Sequence, residues 1–535
     1  MLIDKATKIP GVLNNEEFAN WILKDNRIKV HLGLTIGSSK LGGIGLFFNQ
    51  EKDAGTKDDI ELARIPKDAT FDYMSLLQVL EGLKDSEKEK PETGEEISES
   101  GIITAVLKSI QPSNETEILT CYFIGLRICY NRRLLNEMLT ESPLSKFDPY
   151  LSVLAHTEIL GLPQEDANYE DEFIQKLSTN AQRLFDEFNE LINDLENVHP
   201  SLTFEEYYQL CGAIKSRVLE IPHSSEDEEE DYYTNITLIP LLDFANHLNT
   251  SRSHAYFDVD KTSNDVLLKL NRLRMQQGIF EVTISYSTTE CIQKFIQTYG
   301  FIPQSDDIQL FEYRIPPDIC NYHISEIMKT SGEPYDKIMK WLRILPQFQL
   351  VRTSDDIFVN FFSNSLPLVF IDGLKHDYKW TENAYDSFKE FNEIEISQDE
   401  FAQSVLPMLK VQESDYDFIN AISQIGVICN ENYPTQDSIL QVSNNDSEKA
   451  FQQLISYCTA FIVKVAQSVL NAKPPSPSAS SFSQMTTDYF KVQQSFFRAL
   501  IEKYEMTKDL SLPVELAKDE WETDYRSAPR QITLN

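Results

Sequence analysis

The chain has 535 residues, 41% of them hydrophobic and 11% aromatic, and a net charge of −36. That length exceeds one ordinary core and predicts two to four domains at roughly 150 residues each. The hydrophobic content places the charge on a folded surface, which disfavours phosphate-backbone binding and leaves either simple solubility or a cationic partner, a basic protein first.

The start, MLIDKATKIPGVLNNEEF, lacks a basic segment followed by an apolar one, and no stretch approaches a membrane span. Seven scattered cysteines without a CxxC pair suggest neither a zinc site nor a disulfide framework. The expectation is a monomeric cytoplasmic protein, with the nucleus as a second setting, that binds neither membrane nor nucleic acid directly and holds no metal.

Along the chain, residues 18 to 30 suggest a short helix. The following HLGLTIGSSKLGGIGLFFNQ, with five glycines between Gly33 and Gly45, reads as strand, turn, strand. The charged stretch 84 to 100 reads as a solvated loop. Apolar residues from Phe173 to Leu195 recur at helical spacing. A second helix opens on the capping box Thr203 to Glu206 and carries Tyr207, Leu210, Ile214, Val218 and Ile221 on one face, with Arg217 at its edge. The acidic run SSEDEEED reads as another loop.

Between Thr237 and Tyr286 the pattern changes to short β-type runs: TLIPLL, HAYFDV, DVLLKL and GIFEVTISY. Beyond Pro303 it reads as largely helical, with amphipathic stretches at 451 to 470 and 488 to 506 separated by the Pro- and Ser-rich NAKPPSPSASSFS. No phosphate-binding G-x-x-x-x-G-K-[ST] and no G-x-S-x-G occurs. The Gly43-Ile44-Gly45 cluster fails the dinucleotide fingerprint, because Phe48 stands where the third small residue is needed.

Singly, the remaining features have ordinary explanations as turns, caps and core tyrosines. In their order they resemble the SET-domain protein methyltransferases, in the split-domain branch typified by the Rubisco large-subunit lysine methyltransferase. GGIGLF is similar to that family's cofactor loop and IPLLDFANH to its D-x-x-N-H segment. ISY and YGF, whose tyrosines lie thirteen residues apart, resemble its closing tyrosine pair. The sequence departs from the family at Ser287, at Ile292 to Lys294, and at Gly42, which stands where an acidic residue is usual.

The resemblance implies an α+β fold: a split SET domain of small sheets with a pseudoknot over residues 1 to 303, a helical insert at about 70 to 234, and an α-helical substrate-binding domain over 304 to 535. It implies S-adenosylmethionine as cofactor, cradled by Gly43, Ile44 and Gly45. Arg217 would meet its carboxylate, Asn246 and His247 its amine and adenine, and Tyr299 would border it. Tyr256, Tyr286 and Tyr299 would line a lysine channel, with Tyr286 catalytic. The implied activity is protein-lysine N-methylation, with ribosomal proteins or translation factors as expected substrates. Histidine methylation and a non-catalytic binding module are the rival readings.

Overall fold

A computed structural model describes residues 2–52, 59–88, 98–135, 142–163, 171–195, 201–224, 232–287, 290–303, 308–316, 318–319, 322–323, 347–360, 445–471 and 481–510. The greater part of the charged stretch 84 to 100, the acidic run after Ser224 and the Pro/Ser-rich segment fall outside these residues.

Asn14 caps α1 (Asn15–Asn20) by accepting from two backbone N–H groups, and a π-helical turn at Trp21–Asp25 continues it. After β1 (Lys29–Val30), the glycine-rich stretch forms the expected hairpin of β2 (Leu34–Ser38) and β3 (Ile44–Asn49), followed by β4 (Ile60–Ile65). A helical insert then begins with β5 (Phe71–Asp72) and α2 (Tyr73–Lys88), which carries the start of the predicted charged loop as helix. It continues through α3 (Glu99–Ile110), α4 (Glu115–Leu135), α5 (Asp148–Ala155), α6 (Glu172–Asp194) and α7 (Phe204–Lys215). Both bonds of the Thr203–Glu206 capping box are present.

The predicted second helix ends earlier than its apolar spacing suggested. Residues from 219 onward form β6 (Leu219–Ser224) against β7 (Tyr232–Leu238), because Pro222 cannot continue a helix. Arg217 consequently sits in the turn after α7 rather than on the helix. Then come β8 (Asn246–His247), β9 (Ala255–Val259), β10 (Val266–Leu270), β11 (Ile279–Ile284), β12 (Glu290–Cys291) and α8 (Ile292–Tyr299).

Past Pro303 the described chain is not simply helical. Strands β13 (Gln309–Arg314), β14 (Gln347–Arg352) and β15 (Ile357–Asn360) join β12 in a four-stranded sheet, and only then do α9 (Asn445–Asn471) and α10 (Ser481–Thr507) follow. Three further small sheets have the orders β1-β4-β10-β9, β2-β3-β11-β8 and β5-β7-β6.

Two main cores result. The larger joins the N-terminal sheets to the insert, with Tyr150 fully enclosed between Trp21 and Phe71. The second joins the β12–β15 sheet to α9 and α10 through Phe311, Phe461, Phe496 and Phe497, and takes in Ile292 and Ile296 of α8. α8 is therefore held by the second core while its C-terminus carries Tyr299.

That C-terminus is fixed by Gly300, whose left-handed φ of 77° ends the helix with its N–H on Ile296. A Cβ there would also run into the backbone carbonyl of Ile159. Gly300→Ala combines left-handed strain with a steric clash, a cost of about 2–4 kcal/mol. The expected result is a lowered thermal midpoint, read by circular dichroism; an unchanged midpoint would show that the turn relaxes freely.

Candidate active site

The site is assembled where β8 lies parallel to β11, pairing Thr283 with Asn246 and Ile284 with His247. The chain reaches β8 through a tight turn at Leu241, whose φ of 75° is unusual for a branched residue and marks local strain. The turn aims Asp243 inward, with its side chain 2% exposed.

Asn246 Nδ2 donates to the Ile44 carbonyl at 3.0 Å and to Glu281 Oε1 at 2.7 Å, fastening β8 to the glycine hairpin and to β11. Gly45 is buried at this junction, and a Cβ on it would lie 3.1 Å from Asn246 Nδ2 and collide with the Glu281 carboxylate. The close approach therefore requires glycine. At Gly42 and Gly43, in contrast, an added Cβ would meet nothing within 4 Å, so the tip of the hairpin borders open space.

His247 is buried, and both ring nitrogens are engaged within the protein. Nδ1 accepts the Tyr286 backbone N–H at 3.1 Å, which leaves Nε2 to donate to Glu290 Oε1 at 2.9 Å. The side chain is a strut between β12 and Tyr286. The histidine ring also packs on Tyr286 (centroids 5.1 Å) and Phe295 (4.8 Å).

Tyr286 and Tyr299 are brought together, with ring centroids 4.8 Å apart, and Phe295 and Phe301 complete an aromatic wall beside them. The Tyr286 hydroxyl donates to the Ala245 carbonyl at 2.8 Å. Burial pushes its pKa well above the ordinary tyrosine value, and Tyr299, Asp243 and Glu281 add to this while Arg217 opposes it. The hydroxyl thus stays protonated at neutral pH, and four other polar site residues lie within electrostatic range of it.

Arg217 Nη1 donates to Ser216 Oγ at 2.9 Å, while Nε stands 3.6 Å from Asp243 Oδ2 and makes no hydrogen bond. Asp243 accepts from the Tyr150 hydroxyl at 2.8 Å, yet its Oδ1 is likewise buried without a partner. Burial raises the Asp243 pKa against the opposing pull of Arg217. Arg217 keeps an appreciable surface, its side chain 16% exposed, against 2% for Asp243. An arginine with spare donor capacity, an asparagine with a free Oδ1 and a glycine tip facing open space are a donor and acceptor set that fits the zwitterionic end of S-adenosylmethionine.

Tyr256 does not join this group. Strand alternation turns it outward on β9, 41% exposed, with its hydroxyl on Asp59 Oδ2 at 2.9 Å. It borders a recess of about 230 Å³ shared with Thr250, Arg274, Ile284 and Ser285. Sequence reasoning missed Glu281, Glu290, Phe295 and Phe301. The visible signal for Glu281 was a lone charge inside the apolar run GIFEVTI.

The family model described as cytochrome c lysine N-methyltransferase 1 matches residues 15–510. A relative of that name from Kluyveromyces lactis is 30% identical over 64% of this chain and 68% of its own length. One from Saccharomyces cerevisiae is 29% identical over 70% of this chain and 64% of its own length. Among solved structures, the SET domain of LSMT bound to lysine and AdoHcy aligns with a TM-score of 0.45 at 13% identity, covering 94% of this chain and 95% of that one. These names overturn the expected ribosomal-protein or translation-factor partner, since the matched family is described by cytochrome c. They also weigh against the histidine-methylating and non-catalytic readings. The chain belongs to the cytochrome c lysine N-methyltransferase family, and it is a protein-lysine N-methyltransferase.

Proposed function

We propose that the chain methylates a lysine of cytochrome c, in a split SET domain over residues 1 to 303 to which the C-terminal part recruits the substrate. The substrate follows the names of the relatives. A net charge of −36 suits a basic partner, with which this substrate is consistent. The observation that carries the chemistry is the fixed pair of Tyr286 and Tyr299 beside Asn246 and Arg217.

When bound, S-adenosylmethionine supplies an electrophilic methyl group on a sulfonium. The protein's part is alignment and exclusion of water. Gly43, Ile44 and Gly45 would hold the cofactor from the hairpin side, Arg217 its carboxylate and Asn246 its amine. Main-chain groups at His247 would serve the adenine, since the ring is committed elsewhere.

The attacking lysine must be neutral, against a reference pKa of about 10.4. The wall of Tyr286, Tyr299, Phe295 and Phe301 favours the uncharged amine by desolvation. The Tyr286 hydroxyl, with its proton on Ala245 O, keeps oxygen lone pairs to orient the amine N–H and the polarised methyl.

The direct test incubates the purified chain with methyl-labelled cofactor and cytochrome c, followed by peptide mass spectrometry. Label on a cytochrome c lysine is expected; label absent from cytochrome c, or on histidine, would overturn the proposal.

Three consequences follow from the residue roles. Arg217→Ala and Asn246→Ala should each weaken S-adenosylhomocysteine binding by about one to two decades in calorimetry, the worth of a charge-assisted hydrogen bond. Tyr286→Phe keeps the ring packing and loses one hydroxyl bond to Ala245, so the protein stays folded and cofactor affinity holds while kcat falls about a hundredfold or more. A wild-type kcat in that variant would remove Tyr286 from the reaction. The rate kcat/KM should climb with pH between about 7 and 9 with the neutral lysine fraction, because the Tyr286 hydroxyl does not titrate in that range. A pH-independent profile would contradict deprotonation as the controlling step.

A further inference from the structure

Glu281 lies on β11 opposite Phe47 of β3, between the buried Phe280 and Val282. Strand alternation puts the Glu281 side chain on the face opposite to theirs, where it is partly exposed. Its Oε1 accepts from Ser39 Oγ at 2.7 Å and from Asn246 Nδ2 at 2.7 Å. Ser39 Oγ accepts in turn from the Leu41 N–H, and the Ser39 N–H donates to the Gly43 carbonyl, so the carboxylate anchors the turn of the glycine hairpin. The absence of a side chain at Gly45 is what admits it.

These bonds leave the site short of positive charge. Among the described residues no Lys, Arg or His pairs with Glu281, and no hydrogen bond reaches its Oε2. Asn246 spends both amide hydrogens on Ile44 O and Glu281, so its Oδ1 is also a free acceptor. A carboxylate oxygen and an amide oxygen therefore stand at one junction beside the open tip of the hairpin, both lacking donors. A primary ammonium offers three donors and one positive charge, the complement of this pair.

We propose that Glu281 is the anionic residue that binds the α-ammonium group of S-adenosylmethionine, with Asn246 Oδ1 as its neutral partner. The assignment rests on the reading of this crevice as the cofactor site. It divides the zwitterion between Arg217, which takes the carboxylate, and Glu281, which takes the amine. The Glu281 carboxylate also lies within electrostatic range of Tyr286, so the ammonium would enter a field shared with the catalytic hydroxyl.

The test is a ligand cycle in calorimetry, using S-adenosylhomocysteine and its deaminated analogue on the wild type, Glu281→Gln and Asn246→Ala. Glutamine keeps an oxygen for Ser39 and Asn246, so the variant removes charge and leaves the hairpin ties. On the wild type, S-adenosylhomocysteine should bind about ten- to a hundredfold tighter than the deaminated analogue. In Glu281→Gln that preference should collapse, through loss of S-adenosylhomocysteine affinity with the analogue unchanged. A wild type that does not distinguish the two ligands overturns the proposal whether or not the variant folds, and so does a preference that survives in Glu281→Gln. Equal losses for both ligands in Glu281→Gln would assign the residue to the shape of the crevice and likewise overturn it. Wild-type affinity in Asn246→Ala would instead displace the cofactor site from this crevice, a failure of the underlying reading rather than of Glu281 alone.

Discussion

The hydrogen-bonded chain from Glu290 through His247 to the Tyr286 backbone is the constraint on which the rest of the site depends. It links three segments that are distant in sequence: β8, the end of β11, and β12 at the foot of α8. Because His247 Nδ1 must accept the Tyr286 N–H, the ring is held in one tautomer, and the parallel register of β8 with β11 cannot slip without breaking both bonds. Asn246 is thereby held at the hairpin and Tyr286 against Tyr299. The Tyr286 hydroxyl closes the arrangement by returning to Ala245, one residue before Asn246. In the proposed function, one piece of backbone therefore sets both the cofactor side and the substrate side.

Around this strut the site separates polar from apolar function. The aromatic wall supplies a dry surface on which an uncharged amine is favoured, while the Arg217–Asp243 pair and the Asn246–Glu281 pair retain hydrogen-bonding capacity that the protein does not use. Such unspent capacity in a buried setting is costly in isolation and is a common mark of a binding site. The strained turn at Leu241 belongs to the same pattern, since it is what directs Asp243 toward Arg217.

Much of this was legible in the sequence where local chemistry decides structure. The glycine hairpin, the capping box of α7, the amphipathic α6 and the strands β9 to β11 follow from turn residues, caps and periodicity. The tyrosine pair was recognisable through the spacing of ISY and YGF. The sheet of β12 to β15 was not, because Gln309 pairs with Arg352 across a long separation that no local window reveals. Arg217 was placed on a helix because Val218 and Ile221 keep helical spacing, although the helix ends before Val218 and Ile221 pairs with β7 in a strand. Tyr256 was assigned to the channel by resemblance alone, and the alternation of β9, which leaves it 41% exposed, is a feature that the resemblance did not disclose. The strut was invisible because a histidine after an apolar run does not disclose that Glu290, forty-three residues on, will meet its ring. The substrate was misjudged because acidity specifies the sign of a partner and not its identity.

The central claim is that His247 acts as an internal strut and not as a side-chain ligand of the cofactor. A crystal structure with S-adenosylhomocysteine bound tests this most directly. The account predicts His247 Nδ1 still on the Tyr286 N–H and Nε2 still on Glu290, with the ligand at the hairpin beside Asn246. A His247 ring turned away from Glu290 to hydrogen-bond the adenine would contradict it.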